Sequence, residues 1–521
     1  MLSRTSLVLS ATPLSVPKRS MLFPHAGRLG ILTLMSAVLL CVATPVRAQD
    51  DHLAGLLLDL LSRSGQNQSE TVSLPNGATL HHQAHFIPTL ALELTPRELN
   101  KAIALGLTTF PLPSSSGGFA YTRDAATGEV RLAAATFGPV FAERALTIGK
   151  GRFDFGLSFQ PTSFDSFETA ELTGGRIRFF LEHNNCCPGT NNAPTLPTSE
   201  GPTSTQFSPE LERDLLQSDI SLDIETNTTV LFANYGITDR FDVGAAIPIV
   251  SVRLDGTVTS TILRTATGPT GLNDPRIHSF DGVGQASQTL NETRSATGIG
   301  DLLLRAKYNF VRSEANALAA SLDVRLPTGD KDDLLGSGAT QTEVLFIASG
   351  EYGLFAPHAS FGYTFSSGNV SDLTSDVVLD PSLPGAGAIL LQPAPFDASV
   401  PDEINYNFGF SAAPHPRLTL GFDFMGRTIR DVFRFEVGDR SFPNRAAGNL
   451  PTLAFQATDE FLVRGDPETG TRENLNLLLG VVGGKVNIGR SLLVNSGVLF
   501  PLNDSGLQPK VTLFVGLDYV F

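Results

Sequence analysis

Val511-Thr-Leu-Phe-Val-Gly-Leu-Asp-Tyr-Val-Phe521 alternates without a break. Counting back by twos from Phe521 gives Tyr519, Leu517, Val515, Leu513 and Val511, all apolar. The other face reads Val520, Asp518, Gly516, Phe514 and Thr512, mixed and smaller. A strict period of two with one apolar face is a β-strand that meets lipid or core on one side only.

The other end of the chain speaks to compartment. Lys18, Arg19 and Arg28 precede an apolar run from Leu29 to Val42, and Val46-Arg47-Ala48 follows with small residues at cleavage positions. This pattern predicts a secretory signal peptide over residues 1–48, with Met1 or Met21 as the start. The run is too short and too soon followed by a cleavage site to be a spanning helix. Cys41 does not fit a lipoprotein signal, because Leu40 stands where a small residue is needed. Beyond Gln49 no run of apolar residues is long enough for a spanning helix. An exported chain rich in amphipathic strands is expected in the bacterial outer membrane.

Composition fits that expectation. Charged residues make up 17% of the chain and the mean hydropathy is +0.07, as expected when only alternate residues meet lipid. A net charge of −15 argues against nucleic acid as a partner, since phosphates would be repelled. Of three cysteines, only Cys186 and Cys187 lie beyond the signal, so no disulfide framework is available.

Period-two patterning begins near residue 148. In 152–160, Phe153, Phe155, Leu157 and Phe159 oppose Arg152, Asp154, Gly156, Ser158 and Gln160. A second strand sets Ile220, Leu222, Ile224, Thr226, Thr228, Val230 and Phe232 against Ser221, Asp223, Glu225, Asn227 and Thr229. Further strands are read at 241–264, 298–311, 316–327, 341–351, 355–367, 402–413, 416–436, 474–487, 490–502 and 507–521. The total is about twelve, an even number as single-chain bacterial barrels require. Fourteen is the alternative, if Arg176-Ile-Arg-Phe-Phe-Leu181 belongs to an extra wall hairpin. Connections at 236–240, 312–315, 349–354, 413–416 and 487–490 are short, whereas 161–213, 265–297, 328–340, 368–401 and 437–473 are long. Short and long alternate until 503–506, which is short where a long loop is due. Short periplasmic turns and long outer loops are the pattern of an all-β, transmembrane antiparallel β-barrel over 148–521, with both barrel ends in the periplasm. Pro248 within the third strand predicts a bulge or a rim position, and the alternation slips there.

Residues 49–147 do not read as barrel. Leu53, Leu56, Leu57 and Leu60 have helical spacing. Thr95-Pro96-Arg97-Glu98 reads as a capping box opening a second helix that Gly106 ends, and a hairpin turns at Ala126-Thr-Gly128. This N-terminal segment is either a plug in the lumen or a periplasmic extension.

Several motifs carry a family resemblance. A terminal strand ending in Tyr519 and Phe521 resembles the closing strand of outer-membrane barrels, where the aromatic ending is read by the assembly machinery. Thr297-Gly-Ile-Gly-Asp301 with Arg305, Lys307 and Tyr308 resembles a strand start of the outer-membrane proteins of the phenol-degradation meta-pathway. Arg325-Leu-Pro-Thr-Gly-Asp330 is similar to that family's L-P-T-G-D loop entry. Tyr235-Gly-Ile-Thr-Asp-Arg-Phe-Asp-Val-Gly244 with Ile247-Pro248, and Ser360-Phe-Gly-Tyr363, fit its other segments. The resemblance spans roughly 148–521. It implies a barrel related to transporters of hydrophobic compounds and long-chain fatty acids, hence a channel for small hydrophobic or aromatic molecules. The alternative is a structural or surface-interaction barrel with a closed lumen, using loops 161–213 and 437–473. Outer-membrane lipid, lipopolysaccharide and the assembly machinery are the expected partners, with a small hydrophobic ligand.

The candidate site residues follow from the alternation. If Leu302, Leu304, Tyr308, Phe310, Leu318, Leu322 and Val324 face lipid, then Asp301, Arg305, Lys307, Asn309, Ser321, Asp323 and Arg325 face the lumen. Asp301 is expected opposite Arg325 and Arg305 opposite Asp323, with Asp423 and Arg427 repeating the theme. Such charges form either a selective constriction or cross-strand ion pairs that fill a narrow lumen, and the second account is simpler. For His183-Asn-Asn-Cys186-Cys187 a vicinal disulfide stiffening an outer loop is expected rather than a metal site, which lacks two ligands. His81, His82 and His85 could bind a metal, although exposed loop histidines are the commoner reading, and Asp330, Asp332 and Asp333 read as solvated loop charge or a place for divalent cations shared with lipopolysaccharide. No metal or cofactor is expected. Nor is an enzyme: His358 and His415 lie near periplasmic turns, Ser366-Ser367 has no histidine near it, and no G-x-S-x-G motif flanks a strand–helix turn. Deleting Phe521 is expected to lower the amount of heat-modifiable, membrane-inserted protein. Unchanged insertion would show the terminal aromatic to be dispensable.

Overall fold

The computed structural model describes residues 52–64, 71–73, 79–81, 86–87, 90–111, 118–123, 130–183, 214–265, 279–281, 284–313, 315–371, 398–442, 455–465, 470–489 and 491–521. The expected signal peptide, Cys186, Cys187, His82 and His85 lie outside them.

Twelve strands form a closed antiparallel barrel. They are β1 (Phe153–Phe167), β2 (Leu215–Gly236), β3 (Phe241–Leu263), β4 (Ser287–Ile299 continued by Leu302–Arg312), β5 (Asn316–Leu326) and β6 (Ala339–Gly350). The circuit continues through β7 (Phe355–Gly368), β8 (Glu403–His415), β9 (Leu418–Phe433), β10 (Arg472–Asn487), β11 (Leu492–Pro501) and β12 (Leu507–Pro509 continued by Thr512–Val520). Sequential neighbours pair, and β12 closes on β1 from Val515↔Phe159 to Val520↔Asp154. The segment Ile177–His183 pairs with Leu215–Ile220 of β2 above the wall, so the fourteen-strand alternative does not hold. Closure removes the unpaired edges that an open sheet could not satisfy in lipid.

The terminal strand behaves as its pattern requires. Val511, Leu513, Val515, Leu517, Tyr519 and Phe521 are exposed on the outside, while Thr512, Phe514, Asp518 and Val520 are buried inside. Leu304, Tyr308, Phe310, Leu318 and Leu322 also face out, joined by Phe346, Phe361, Phe408, Phe410, Leu420 and Phe422. Aromatic rings on neighbouring strands stack across this surface, Phe408 on Phe424 at 4.5 Å between centroids. No helix among the described residues is long and apolar enough to cross a membrane. The exposed apolar belt on the strands is the surface that meets lipid.

β2 and β3 are far longer than a bilayer needs. At 22 and 23 residues they exceed the roughly 9–11 that span and rise well beyond the membrane. Their outer halves reverse the polarity of the wall. Arg253, Asp255, Thr257, Thr259 and Thr261 face water, with Thr257 donating to Asn291 at 2.8 Å. Ile220, Leu222, Ile224, Val252, Leu254 and Val258 are buried inside. The apolar face of β2 is therefore a core face, a distinction that alternation alone does not make.

That core is filled by the N-terminal segment. Helix α1 (Leu56–Ser64), entered through a turn of 3₁₀ helix at Leu53–Gly55, packs Leu56, Leu57, Leu60 and Leu61 against β2 and β3. Helix α2 (Leu90–Thr108) adds Leu99, Ile103 and Leu107 to the same cluster. The capping box is not the start of this helix. Pro96 lies in its interior, where its ring gives up one backbone hydrogen bond, and Thr95 Oγ1 accepts from Val463 N at 3.3 Å. Nor does Gly106 end it. A Cβ there would sit 2.8 Å from Leu507 Cβ, so the glycine permits close approach to the wall while the helix continues. Tyr121–Arg123 and Val130–Leu132 pair as expected for a hairpin. A second hairpin, Phe435–Phe442 with Phe455–Val463, belongs to no wall ladder. It covers the outer end through Phe435 and Phe461, which pack on Phe167, and through two 2.7 Å bonds from Arg434 to Glu168.

The contact between α1 and the wall depends on Gly256, where a Cβ would come within 2.4 Å of Leu60. Gly256→Val should cost about 1–3 kcal/mol by overpacking. The expected result is proteolytic release of residues 52–108 from a barrel that stays heat-modifiable. Equal protease resistance of variant and wild type would contradict this packing.

Candidate functional site

Beyond α2, the described residues 118–123 and 130–152 lead to β1 at the end of the barrel expected to face the periplasm. Irregular backbone inside a barrel presents N–H and C=O groups that cannot find water at every point, so the wall must supply partners. The sequence meets this demand with inward-facing polar side chains on β3, β4, β6 and β9.

At the end of α2 the partners are cations. Arg427 donates to Thr109 O at 2.8 Å and to Thr109 Oγ1 at 2.9 Å. Arg325 reaches Thr108 O at 3.3 Å from the opposite side. Unsatisfied carbonyls and the negative end of the helix dipole both favour guanidinium groups there.

Nearer β1, residues 137–148 carry no regular secondary structure and the partners change sign. Val140, Phe141 and Ala142 aim three successive N–H groups at Asp423 Oδ2, at 3.2, 3.0 and 3.4 Å. The other oxygen of Asp423 is 2.7 Å from His358 Nε2. Ile148 N donates to Asp242 at 3.1 Å, Phe137 N to Thr419 Oγ1 at 2.9 Å and Ala145 N to Ser349 Oγ at 3.2 Å. Carbonyls are met as well, by Asn309 at Ala145 O (2.7 Å) and Lys307 at Arg144 O (3.4 Å). At the inner turn, burial pushes the Glu351 carboxyl above its usual range, opposed by Arg144 and by the Thr136 hydroxyl.

The expected charges thus come together only in part. Arg305 faces Asp323 in register and donates to it through Nε at 2.9 Å, and it also binds Glu143. Asp301 does not face Arg325. The ladder that sets Arg305 against Asp323 sets Leu303 against Arg325, and no single register provides both pairs. Asp301 instead accepts from Gly329 N at 3.1 Å and from Ser337 N and Oγ at 2.8 and 2.7 Å, fastening the loop after β5. Asp423 and Arg427 are not partners either: Arg427 pairs with Glu403. Glu143 and Glu403 were absent from the sequence reading. Glu403 stands two residues before Asn405, the register partner of Arg427, and a diagonal search across that ladder would have found it. Glu143 sits in irregular chain, where no periodicity points to it.

Pro248 makes the expected irregularity on one side only. Its ladder to β2 runs through unbroken at Val230, whereas β4 is interrupted between Ile299 and Leu302, with Gly300 N donating to Pro248 O at 2.8 Å. On the outer side, Asp330 and Asp332 are tied into their loop, Asp332 accepting from Ser371 at 2.7 Å.

Two of the cavities among the described residues of the lumen lie beside the end of α2. A chamber of about 190 Å³ lies between Thr109 and Pro111 above and Phe141 and Glu143 below, ringed by Arg305, Asp323, Glu343, Glu403, Asn405 and Arg427. A smaller space of about 40 Å³ behind the break in β4 is lined mostly by apolar groups, among them Leu107, Phe110, Val250, Leu334 and Leu335. Both spaces touch Leu303 and Arg325.

Replacing Arg305 with Met would take its cation from the buried Asp323 and leave Glu143 with Lys307 at 3.9 Å. A loss of about 3–5 kcal/mol is expected, read from urea unfolding of the detergent-solubilised barrel. Adding Asp323→Asn and Glu143→Gln should recover most of it. No difference between the single and triple variants would contradict the network.

Residues 197–423 match the model of the family described as the MetA-pathway of phenol degradation. No curated protein matches the chain. Among solved structures, an outer-membrane channel from Pseudomonas putida F1 is 12% identical with a TM-score of 0.39, over 73% of this chain and 100% of that one. The toluene transporter TbuX of Ralstonia pickettii is 12% identical with a TM-score of 0.29, over 73% and 92%. A Pseudomonas aeruginosa FadL homologue is 11% identical with a TM-score of 0.27, over 71% and 90%. With its closed wall, its apolar belt and the family match across 197–423, the chain is a bacterial outer-membrane β-barrel that resembles the phenol-degradation meta-pathway proteins.

Proposed function

We propose that this barrel passes small hydrophobic or aromatic molecules across the outer membrane, with residues 52–148 as its plug. The observation that supports the reading best is the pair of adjoining cavities beside the plug. The space behind the break in β4, lined mostly by apolar groups, shares Leu303 and Arg325 with the chamber as lining residues. An apolar molecule entering beside Phe110 and Leu335 would keep its surface away from water until it reached the chamber. The chamber ring is polar, yet Leu303, Leu345, Phe141 and Met425 give it apolar patches. The matched family's description, phenol degradation, agrees with aromatic molecules as the chemistry involved.

The rival is a closed barrel whose plug never moves and whose outer lobe serves contacts. Liposomes carrying the purified full-length protein separate the two. The proposal expects a phenol- or toluene-sized aromatic to enter several-fold faster than into empty vesicles, with no gain for a disaccharide. Equal entry of the aromatic with and without protein would favour the closed barrel.

A further inference from the structure

The plug is not held uniformly. Its outer part is two helices whose leucines share one large apolar cluster with β2 and β3. Arg294 adds a 2.6 Å bond to His52 O and a contact to Asp59. Its inner part, residues 137–148, has no helix or strand and is held by individual wall side chains. The chamber floor, Phe141 to Glu143, belongs to this inner part and is suspended between two points. Glu143 is held by Arg305 of β4, and the amides of 140–142 are held by Asp423 of β9.

Asp423 is the more concentrated of the two. One carboxylate oxygen takes three consecutive amides, a nest that binds anions because its N–H dipoles converge. The other oxygen is fixed by His358, and the Asp423 side chain is fully buried. Removing that single charge would leave three N–H groups without their acceptor at once, whereas no other wall side chain holds more than one amide of this segment in the described contacts.

We propose that Asp423 is the latch of an internal gate. The inner segment 137–148 is the moving part, the helices α1 and α2 stay in the outer lobe, and release of the three amides from Asp423 lets the floor Phe141–Glu143 drop toward the periplasm. His358 acts through Asp423 as a positioning residue, holding the carboxylate toward the nest. This inference rests on the plug reading above and adds which part of the plug moves and what restrains it.

The test uses full-length protein in planar bilayers, with heat-modifiability as the check on folding. Asp423→Asn keeps the size of the side chain and removes its charge, and should raise the open probability at least tenfold over wild type. His358→Asn should shift it in the same direction by a smaller factor, and it serves if the first variant does not insert. Glu403→Gln, which loosens the outer holder Arg427, should raise it less than Asp423→Asn. A folded Asp423→Asn or His358→Asn channel with wild-type open probability overturns the latch, as does Glu403→Gln opening the channel more. Aromatic entry into liposomes is read in parallel. Ion conductance that rises without aromatic entry keeps the latch and removes the substrate class, while wild-type aromatic entry with no effect of Asp423→Asn does the reverse.

Discussion

A chain that runs irregularly through the inside of a membrane barrel must have its backbone polar groups met by side chains, because neither a helix ladder nor bulk water meets them there. Part of the lumen's charge answers to that constraint. Cations stand at the carbonyl end of α2, an aspartate stands under three amides, and Asn309 and Lys307 take the carbonyls between. The wall and the threaded segment are therefore one folding unit. The barrel closes around a core it needs, and the segment keeps its course only where the wall offers a partner.

This arrangement changes what the charged residues mean. A ring of acids and arginines in a pore suggests a filter for ions. Here Arg305, Arg325 and Arg427 each bind the N-terminal segment directly, and Asp423 binds only that segment and His358 among the described contacts. The ion pairs Arg305–Asp323 and Arg427–Glu403 hold those guanidiniums in place for the task. Ion pairing and the anchoring of the N-terminal segment are thus the same network seen from two sides.

The wall was legible in the sequence because lipid and lumen impose a period of two on each strand, and turns impose a period on the loops. Tyr519 and Phe521, Leu304 and Tyr308, and Leu318 and Leu322 all lie outside as their spacing requires. What period two does not encode is which apolar face meets lipid, and β2 turns Ile220, Leu222 and Ile224 inward to a core of helices. Thr95 and Pro96 mimic a helix start, although the helix begins at Leu90. Arg305 and Asp323 were legible as a pair because a ladder is linear. Their third member, Glu143, lies 162 residues away along irregular chain, and local spacing carries no information over that distance.

The central claim, that wall side chains hold residues 137–148 inside the lumen, is tested most directly by amide hydrogen exchange on the inserted protein. The account predicts that the amides of Val140, Phe141, Ala142 and Ile148 exchange as slowly as those of β9 and β3, and that Asp423→Asn speeds the first three while Ile148 changes least. Exchange of all four at the rate of an unstructured chain, beside protected wall strands, would contradict it.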